Sequence, residues 1–254
     1  MDKELKRLRL LIVDDDEMVR KLFVLILKNA NCDVTQCNDG QAACAILSQN
    51  AYDIIFMDQV MPQMDGISCC KIIRERETES RCTDPVTIIG MTGSSEEEIT
   101  DCLKAGMTDV MRKPFTKSNL INFLKTYTDF SDDKPKTIHA DHPQPACFDK
   151  KIALDALDGN EDMFEQVVEM FTQTIPNLLT DFATAEQEQD CEQLKILSHT
   201  LKIRSLYVGA TCLSELSSAL EQHCKLIQLE QALQLVPDIM TEIHKLKKEL
   251  ELLA

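Results

Sequence analysis

No stretch of this sequence is apolar for long enough to cross a bilayer. The longest such run, Leu22 to Leu27, has six residues, against about 20 for a spanning helix. An excess of positive charge is also missing. Lys and Arg number 27 against 43 Asp and Glu, giving a net charge of −16. Such a chain matches nucleic-acid phosphates or an anionic membrane poorly. The opening Met-Asp-Lys-Glu leads straight into a strand pattern, without a leader-like apolar segment. The expectations are a cytoplasmic protein with no nucleic-acid partner and no direct membrane insertion. Cysteine is present at 11 residues, but no Cys-x-x-Cys pair occurs. Cys44, Cys69, Cys102 and Cys212 stand among apolar neighbours and read as small buried hydrophobes.

What is present suits globular folding. The chain has 254 residues, of which 44% are apolar and 28% charged, enough for two domains. Residues 1–127 alternate short apolar runs with helical patterns. Strands are expected at Leu8–Val13, Asp33–Cys37, Asp53–Met57, Val86–Met91 and Asp109–Met111. Helices are expected at Glu17–Ala30, Gln41–Gln49, Ile67–Arg76, Glu96–Ala105 and Ser118–Tyr127. This alternation implies an α/β doubly wound, five-stranded parallel sheet with helices on both faces. Residues 128–147 hold three prolines and no apolar period, so they read as a flexible linker. From residue 148 to 254 only helical signals remain. Long patterns at 161–188, 190–208, 210–224 and 227–252 predict an all-α four-helix bundle. Charge divides unevenly, −5 over the first 130 residues and −11 over the rest.

The strand ends carry the chemistry. Asp14 and Asp15 follow the first strand, Asp58 the third, Thr92 the fourth and Lys113 the fifth. In a parallel sheet these positions share one edge, beyond the carboxyl ends of the strands. Three clustered carboxylates repel one another, and a hard divalent cation such as Mg²⁺ relieves that repulsion. A lysine and a hydroxyl alongside can hold phosphoryl oxygens. Asp16 reads as a helix cap.

The segments LLIVDDDEMVR, DIIFMDQVMPQMDG, IIGMTGSS and MRKPF are similar to the receiver domain of two-component response regulators, a flavodoxin-like fold. The similarity spans residues 7–127. It implies that Asp58 is the phosphoacceptor. Asp14, Asp15, Asp58 and the backbone carbonyl of Val60 would hold Mg²⁺, and Thr92 and Lys113 would bind the phosphoryl oxygens. Val110 stands where receivers usually carry an aromatic switch residue, which implies a muted long-range switch. Gly93 after Thr92 implies open access for a phosphodonor.

Within the helical part, SHTLKIRS raises a second question. At about 100° per residue, Leu194, Leu197, Leu201, Ser205 and Val208 form one core stripe. His199 falls about 140° from Leu194 and is expected to be exposed. It would stand with Lys195, Lys202, Ile203 and Leu206 on a docking surface. The pattern SHTLKIRSLYVGATCLSELSSALE, with LDGNEDMFEQVVEMFTQTIPNLL, resembles the histidine phosphotransfer (HPt) domain over residues 148–252. The resemblance implies that His199 is phosphorylated through Nε2, with Lys202 steadying the phosphoryl group. The family has glycine where Ile203 stands, so Ile203 is expected to fill the docking surface. On the first helix, Met18 and Leu25 are expected outside the core, flanked by Lys21 and Lys28, as a matching surface.

No ATP-binding kinase pattern is present. The resemblances imply a phosphoryl carrier in a phosphorelay, not a kinase, with a sensor histidine kinase and a downstream receiver domain as partners. Besides a phosphate sink, in which His199 returns phosphate to Asp58 for hydrolysis, two alternatives stay open. One is a bundle that binds receivers or kinases without accepting phosphate. The other is a receiver that controls a helical effector. The oligomeric state is left open.

Overall fold

The computed structural model describes residues 7–28, 30–93, 96–128 and 148–252. The chain divides into two compact units, residues 1–113 and 114–254. In the first, β1 (Leu8–Val13), β2 (Cys32–Cys37), β3 (Ile54–Asp58), β4 (Thr87–Thr92) and β5 (Asp109–Arg112) form one parallel sheet in the order β2-β1-β3-β4-β5. Helices α1 (Glu17–Leu27), α2 (Gly40–Leu47), α3 (Gly66–Glu79) and α4 (Glu96–Lys104) connect the strands. The central strands are apolar and buried along most of their length, from Leu10 to Val13 and from Ile54 to Met57. That pattern is what a parallel sheet covered on both faces requires. Aspartates start three of the helices. Asp16, Asp39 and Asp65 accept from the backbone N–H groups of Met18, Ala42 and Ser68, satisfying donors that have no partner inside the helix.

The expected elements are all present, with shifted ends. β3 runs one residue further than its apolar run, so Asp58 is its last residue. Helix α1 stops at Leu27, short of Ala30. Met18 is a correction: it is only 3% exposed. It lies in an i, i+4 row with Leu22 and Ile26, beside the Val19, Phe23 and Leu27 row, so the buried arc of α1 is wider than one stripe. Leu25 is half-buried, and Val24 is the exposed apolar residue of this helix.

The second unit contains α5 (Lys117–Thr128), α6 (Lys150–Ala156), α7 (Glu161–Glu188), α8 (Cys191–Tyr207), α9 (Thr211–Lys225) and α10 (Leu229–Glu251). Helices α7 to α10 pack in a ring, each against the next and α10 against α7, as a four-helix bundle with short loops does. The short α6 precedes these four. Gly209 explains its seat. It has φ +76°, and a Cβ there would lie 2.2 Å from the Asp149 carbonyl. Its own carbonyl accepts the Asp149 N–H at 2.9 Å. Cys212 is half-buried near the start of α9, not core. The expected linker, apart from Thr128 at the end of α5, lies outside the described residues.

Candidate functional site

Strand register builds the first site. Val13 pairs with Met57, Asp58 with Met91 and Thr92 with Arg112. The residues one step on, Asp14 and Lys113, therefore leave the sheet at the same edge as Asp58 and Thr92. The backbone extends this alignment: Asp14 N–H donates to Cys37 O at 3.2 Å, and Lys113 N–H to Thr92 O at 2.7 Å. Lys113 Nζ lies 2.7 Å from Asp14 Oδ2 and 3.0 Å from Asp58 Oδ1. Asp14, Asp58, Thr92 and Lys113 are all buried, none more than 4% exposed. Asp15 is half-buried beside them. One oxygen from each of Asp14, Asp15 and Asp58 lies within 4.8 Å of the others. Gly93, the residue after Thr92, is itself buried.

Charge here does not balance. One lysine faces three carboxylates. Burial raises Asp14 above the ordinary aspartate value, although Lys113 pulls it the other way. Burial and then the Asp14 charge push Asp15 up to about 6. Burial alone would lower Lys113, but Asp14 and Asp58 more than offset that and hold it above its usual range. A divalent cation would compensate these buried negative charges, so this donor set of carboxylate oxygens fits Mg²⁺.

Two supports were not read from the sequence. Arg20 Nη1 donates to the Asp14 and Asp15 carbonyls at 2.6 and 3.0 Å, fixing the turn that carries both acids. Gly66, the first residue of α3, lies against the end of β3. A Cβ there would be 2.0 Å from the Asp58 carbonyl. Thr92 holds a further surprise: its hydroxyl donates to Glu98 Oε2 on α4 at 2.6 Å. Val110 is half-buried and packs against the core on one side of the sheet.

In the bundle, the expected stripe of Leu194, Leu197, Leu201, Ser205 and Val208 is buried. A second strip is buried as well. Ile203 is 3% exposed and Tyr207, one turn on, 1%. They lie about 180° and 220° round the helix from Leu194. Ile203 is thus no outward-facing plug, and that expectation is corrected: α8 buries two opposite strips. His199 is corrected too. Its side chain is 13% exposed rather than free, because Nδ1 lies 3.1 Å from Glu221 Oε1 on α9.

Glu221 organises this second site. Its carboxylate also meets Lys202 Nζ at 3.3 Å and Lys225 Nζ at 2.8 Å. Burial by itself would raise the Glu221 carboxyl, but His199, Lys202 and Lys225 more than offset it and hold it well below the usual range. An ionised carboxylate only accepts hydrogen bonds, so the His199 proton sits on Nδ1. In the neutral imidazole Nε2 then keeps its lone pair. A signal for Glu221 was available. It occupies the α9 face of Leu213, Ser217, Leu220 and Cys224, a charged residue at a core position.

Comparison with known proteins finds a known domain family in each part of the chain. The family model for the response regulator receiver domain matches residues 10–125, and that for the Hpt domain matches residues 166–254. Transcription factor SKN7 of Candida albicans is 34% identical over 122 residues, covering 48% of this chain and 21% of that protein. Signal transduction histidine-protein kinase BarA of Escherichia coli K12 is 26% identical over 231 residues, covering 88% of this chain and 25% of that protein. This chain thus spans a quarter or less of the length of these relatives. A solved chain from the Saccharomyces cerevisiae complex of the phosphotransfer protein Ypd1 with the Ssk1 receiver domain matches at 25% identity, with a TM-score of 0.47. That match covers 50% of this chain and 92% of the other. Among the described residues, no helix is long and apolar enough to cross a membrane. The chain thus joins a response regulator receiver domain, residues 10–125, to an Hpt domain, residues 166–254.

Proposed function

We propose that this protein is a carrier in a phosphorelay, taking a phosphoryl group on Asp58 and passing phosphate through His199. The observation that carries the reading is the contact of Lys113 with both Asp14 and Asp58 at a buried edge lined by a third carboxylate. Asp14, Asp15, Asp58 and the Val60 carbonyl would hold Mg²⁺, which when bound neutralises charge on the phosphoryl oxygens. An Asp58 oxygen attacks phosphorus in line, and the bond from phosphorus to the donor's imidazole or carboxylate breaks. The electron pair leaves with the donor. Lys113 and Thr92 orient the transferred group, so the work is positioning and charge compensation.

His199 is suited to the next step. With Nδ1 directed at Glu221, Nε2 is the nucleophile. Lys202 stands beside it as a cation for the incoming phosphoryl oxygens. Among its described residues the Hpt part holds no carboxylate cluster like that of the sheet edge, so a receiver supplies that half of the reaction. The expected partners are a sensor histidine kinase upstream and a separate receiver domain downstream. The chain acts as a carrier and not as a kinase, at a cytoplasmic location. The domain limits proposed are 1–127 for the receiver, 128–147 for a linker and 148–254 for the phosphotransfer domain.

The test incubates the full chain with ³²P-acetyl phosphate and Mg²⁺. Wild type should carry label at Asp58 and at His199, Asp58→Asn at neither, and His199→Gln at Asp58 alone. Full labelling of Asp58→Asn in the receiver domain would remove the assignment.

A further inference from the structure

We propose that Glu98 gates the receiver site by holding the Thr92 hydroxyl away from the phosphoryl position until a phosphoryl group is present. The inference rests on the reading of Asp58 as acceptor and Thr92 as a phosphoryl ligand. A threonine hydroxyl has one hydrogen to give. Here it goes to Glu98 Oε2, at 2.6 Å. A phosphoryl oxygen has none to offer, so it too needs that same hydrogen. Thr92 serves one acceptor or the other as donor, never both.

The incumbent bond is a strong one. Its acceptor is a carboxylate, and hydrogen bonds to ionised groups are shorter and about twice as strong as neutral ones. Glu98 is half-buried in the first turn of α4, and Thr92 is buried at the end of β4. The bond therefore ties strand to helix from a partly desolvated place. Phosphorylation of Asp58 must exchange it. The phosphoryl group gains the Thr92 donor, and Glu98 loses a ligand and faces a new anion. Two consequences follow. Loading of Asp58 is slowed by the displacement, and the first turn of α4 is released from β4 when loading succeeds. Glu98 acts through Thr92 and is a positioning residue, not a catalytic one.

The experiment is a double-mutant cycle on the full chain, with ³²P-acetyl phosphate and Mg²⁺. Initial rates of Asp58 labelling are compared for wild type, Glu98→Gln and Glu98→Ala, each also in a Thr92→Ala background. Glutamine keeps a neutral acceptor for the hydroxyl, and alanine removes it. Glu98→Ala should be about threefold to tenfold faster than wild type, the size of one ordinary hydrogen bond. Glu98→Gln should lie between the two. Without the Thr92 hydroxyl the gain should vanish, because the two residues act as one unit. Equal rates for Glu98→Ala and wild type would overturn the gate. So would a gain that survives undiminished in Thr92→Ala, or equal gains for Gln and Ala, since either makes Glu98 a matter of charge alone. If Glu98→Ala does not fold, the near-isosteric Glu98→Gln decides, and a rate equal to wild type sinks the proposal. Absence of any label on wild-type Asp58 would overturn the acceptor assignment, and the gate with it.

Discussion

The carboxylate edge and the histidine face differ in the sign of their charge. At the sheet edge Asp14, Asp15 and Asp58 outnumber Lys113. Beside His199 the cations Lys202 and Lys225 outnumber Glu221. A phosphoryl dianion arriving at the first place needs a divalent metal before it can approach. At the second it meets a positive surround and needs none. Under the proposed function this difference divides the work: the metal-dependent half of phosphoryl transfer would belong to the receiver, and the helix would offer a nucleophile and a landing place.

The comparison breaks most completely if the edge works without Asp58 or without metal. Asp58→Asn should take no label from acetyl phosphate at this domain. Chelation of Mg²⁺ with EDTA should have the same effect on wild type, because the charges on donor and acceptor then go uncompensated. Undiminished labelling after chelation would contradict the sign argument.

Next in size is Lys113→Met. It strips the Lys113 cation from two buried carboxylates. Breaking a buried pair from one side costs about 3–5 kcal/mol. Urea unfolding of the variant should show a loss of that order in EDTA, and Mg²⁺ should restore part of it. A variant as stable as wild type in EDTA would mean that the acids are not held as charges.

Glu221→Gln sharpens the other side. The Glu221 carboxyl is held below its ordinary value of 4.5. A depressed carboxyl stabilises the fold fully above its unfolded value, and that contribution fades as pH falls below it. Wild type should therefore lose stability on acidification below about pH 4.5, and Glu221→Gln should lose less over the same range. His199 labelling should also fall in the variant, since a neutral amide accepts the Nδ1 hydrogen less strongly than a carboxylate and so fixes the Nε2 lone pair less firmly. The check is urea unfolding at pH 7 and pH 3.5, and identical pH dependences would refute it.

Smallest is Gly66→Ala. The added Cβ meets the Asp58 carbonyl, and overpacking of this kind costs typically 1–3 kcal/mol. The thermal midpoint should drop, and the labelling rate with it. A fully stable and active variant would show that α3 can shift without moving Asp58.

The two sites were unequally legible. Each group at the sheet edge stands directly after a strand or at its last residue, so the topology alone places Asp14, Asp15, Asp58, Thr92 and Lys113 together. What the pattern did not give is who holds them. Arg20 contacts backbone carbonyls, and Gly66 acts by lacking a side chain, and neither leaves a periodic trace. The bundle was harder. Helical spacing located the stripe from Leu194 to Val208, but a single-stripe reading put Ile203 and His199 outside. Helix α8 is buried on two sides, as its Ile203 and Tyr207 attest, and a wheel drawn from one stripe cannot foresee that. The same limit moved Met18 inward on α1. Glu221 was readable as a charge within the apolar face of α9, but its partner on α8 was not, since the pairing depends on how two helices are set against each other.

The central claim is an order of events: phosphate reaches the carboxylate edge first and the histidine after it. A quenched time course on the full chain tests this directly, because phosphohistidine survives alkali and an acyl phosphate does not. With labelled acetyl phosphate and Mg²⁺, alkali-labile label at Asp58 should appear at once. Alkali-stable label at His199 should follow after a lag, and should be absent from Asp58→Asn. Alkali-stable label that appears without a lag, or that forms on His199 in Asp58→Asn, would contradict the account.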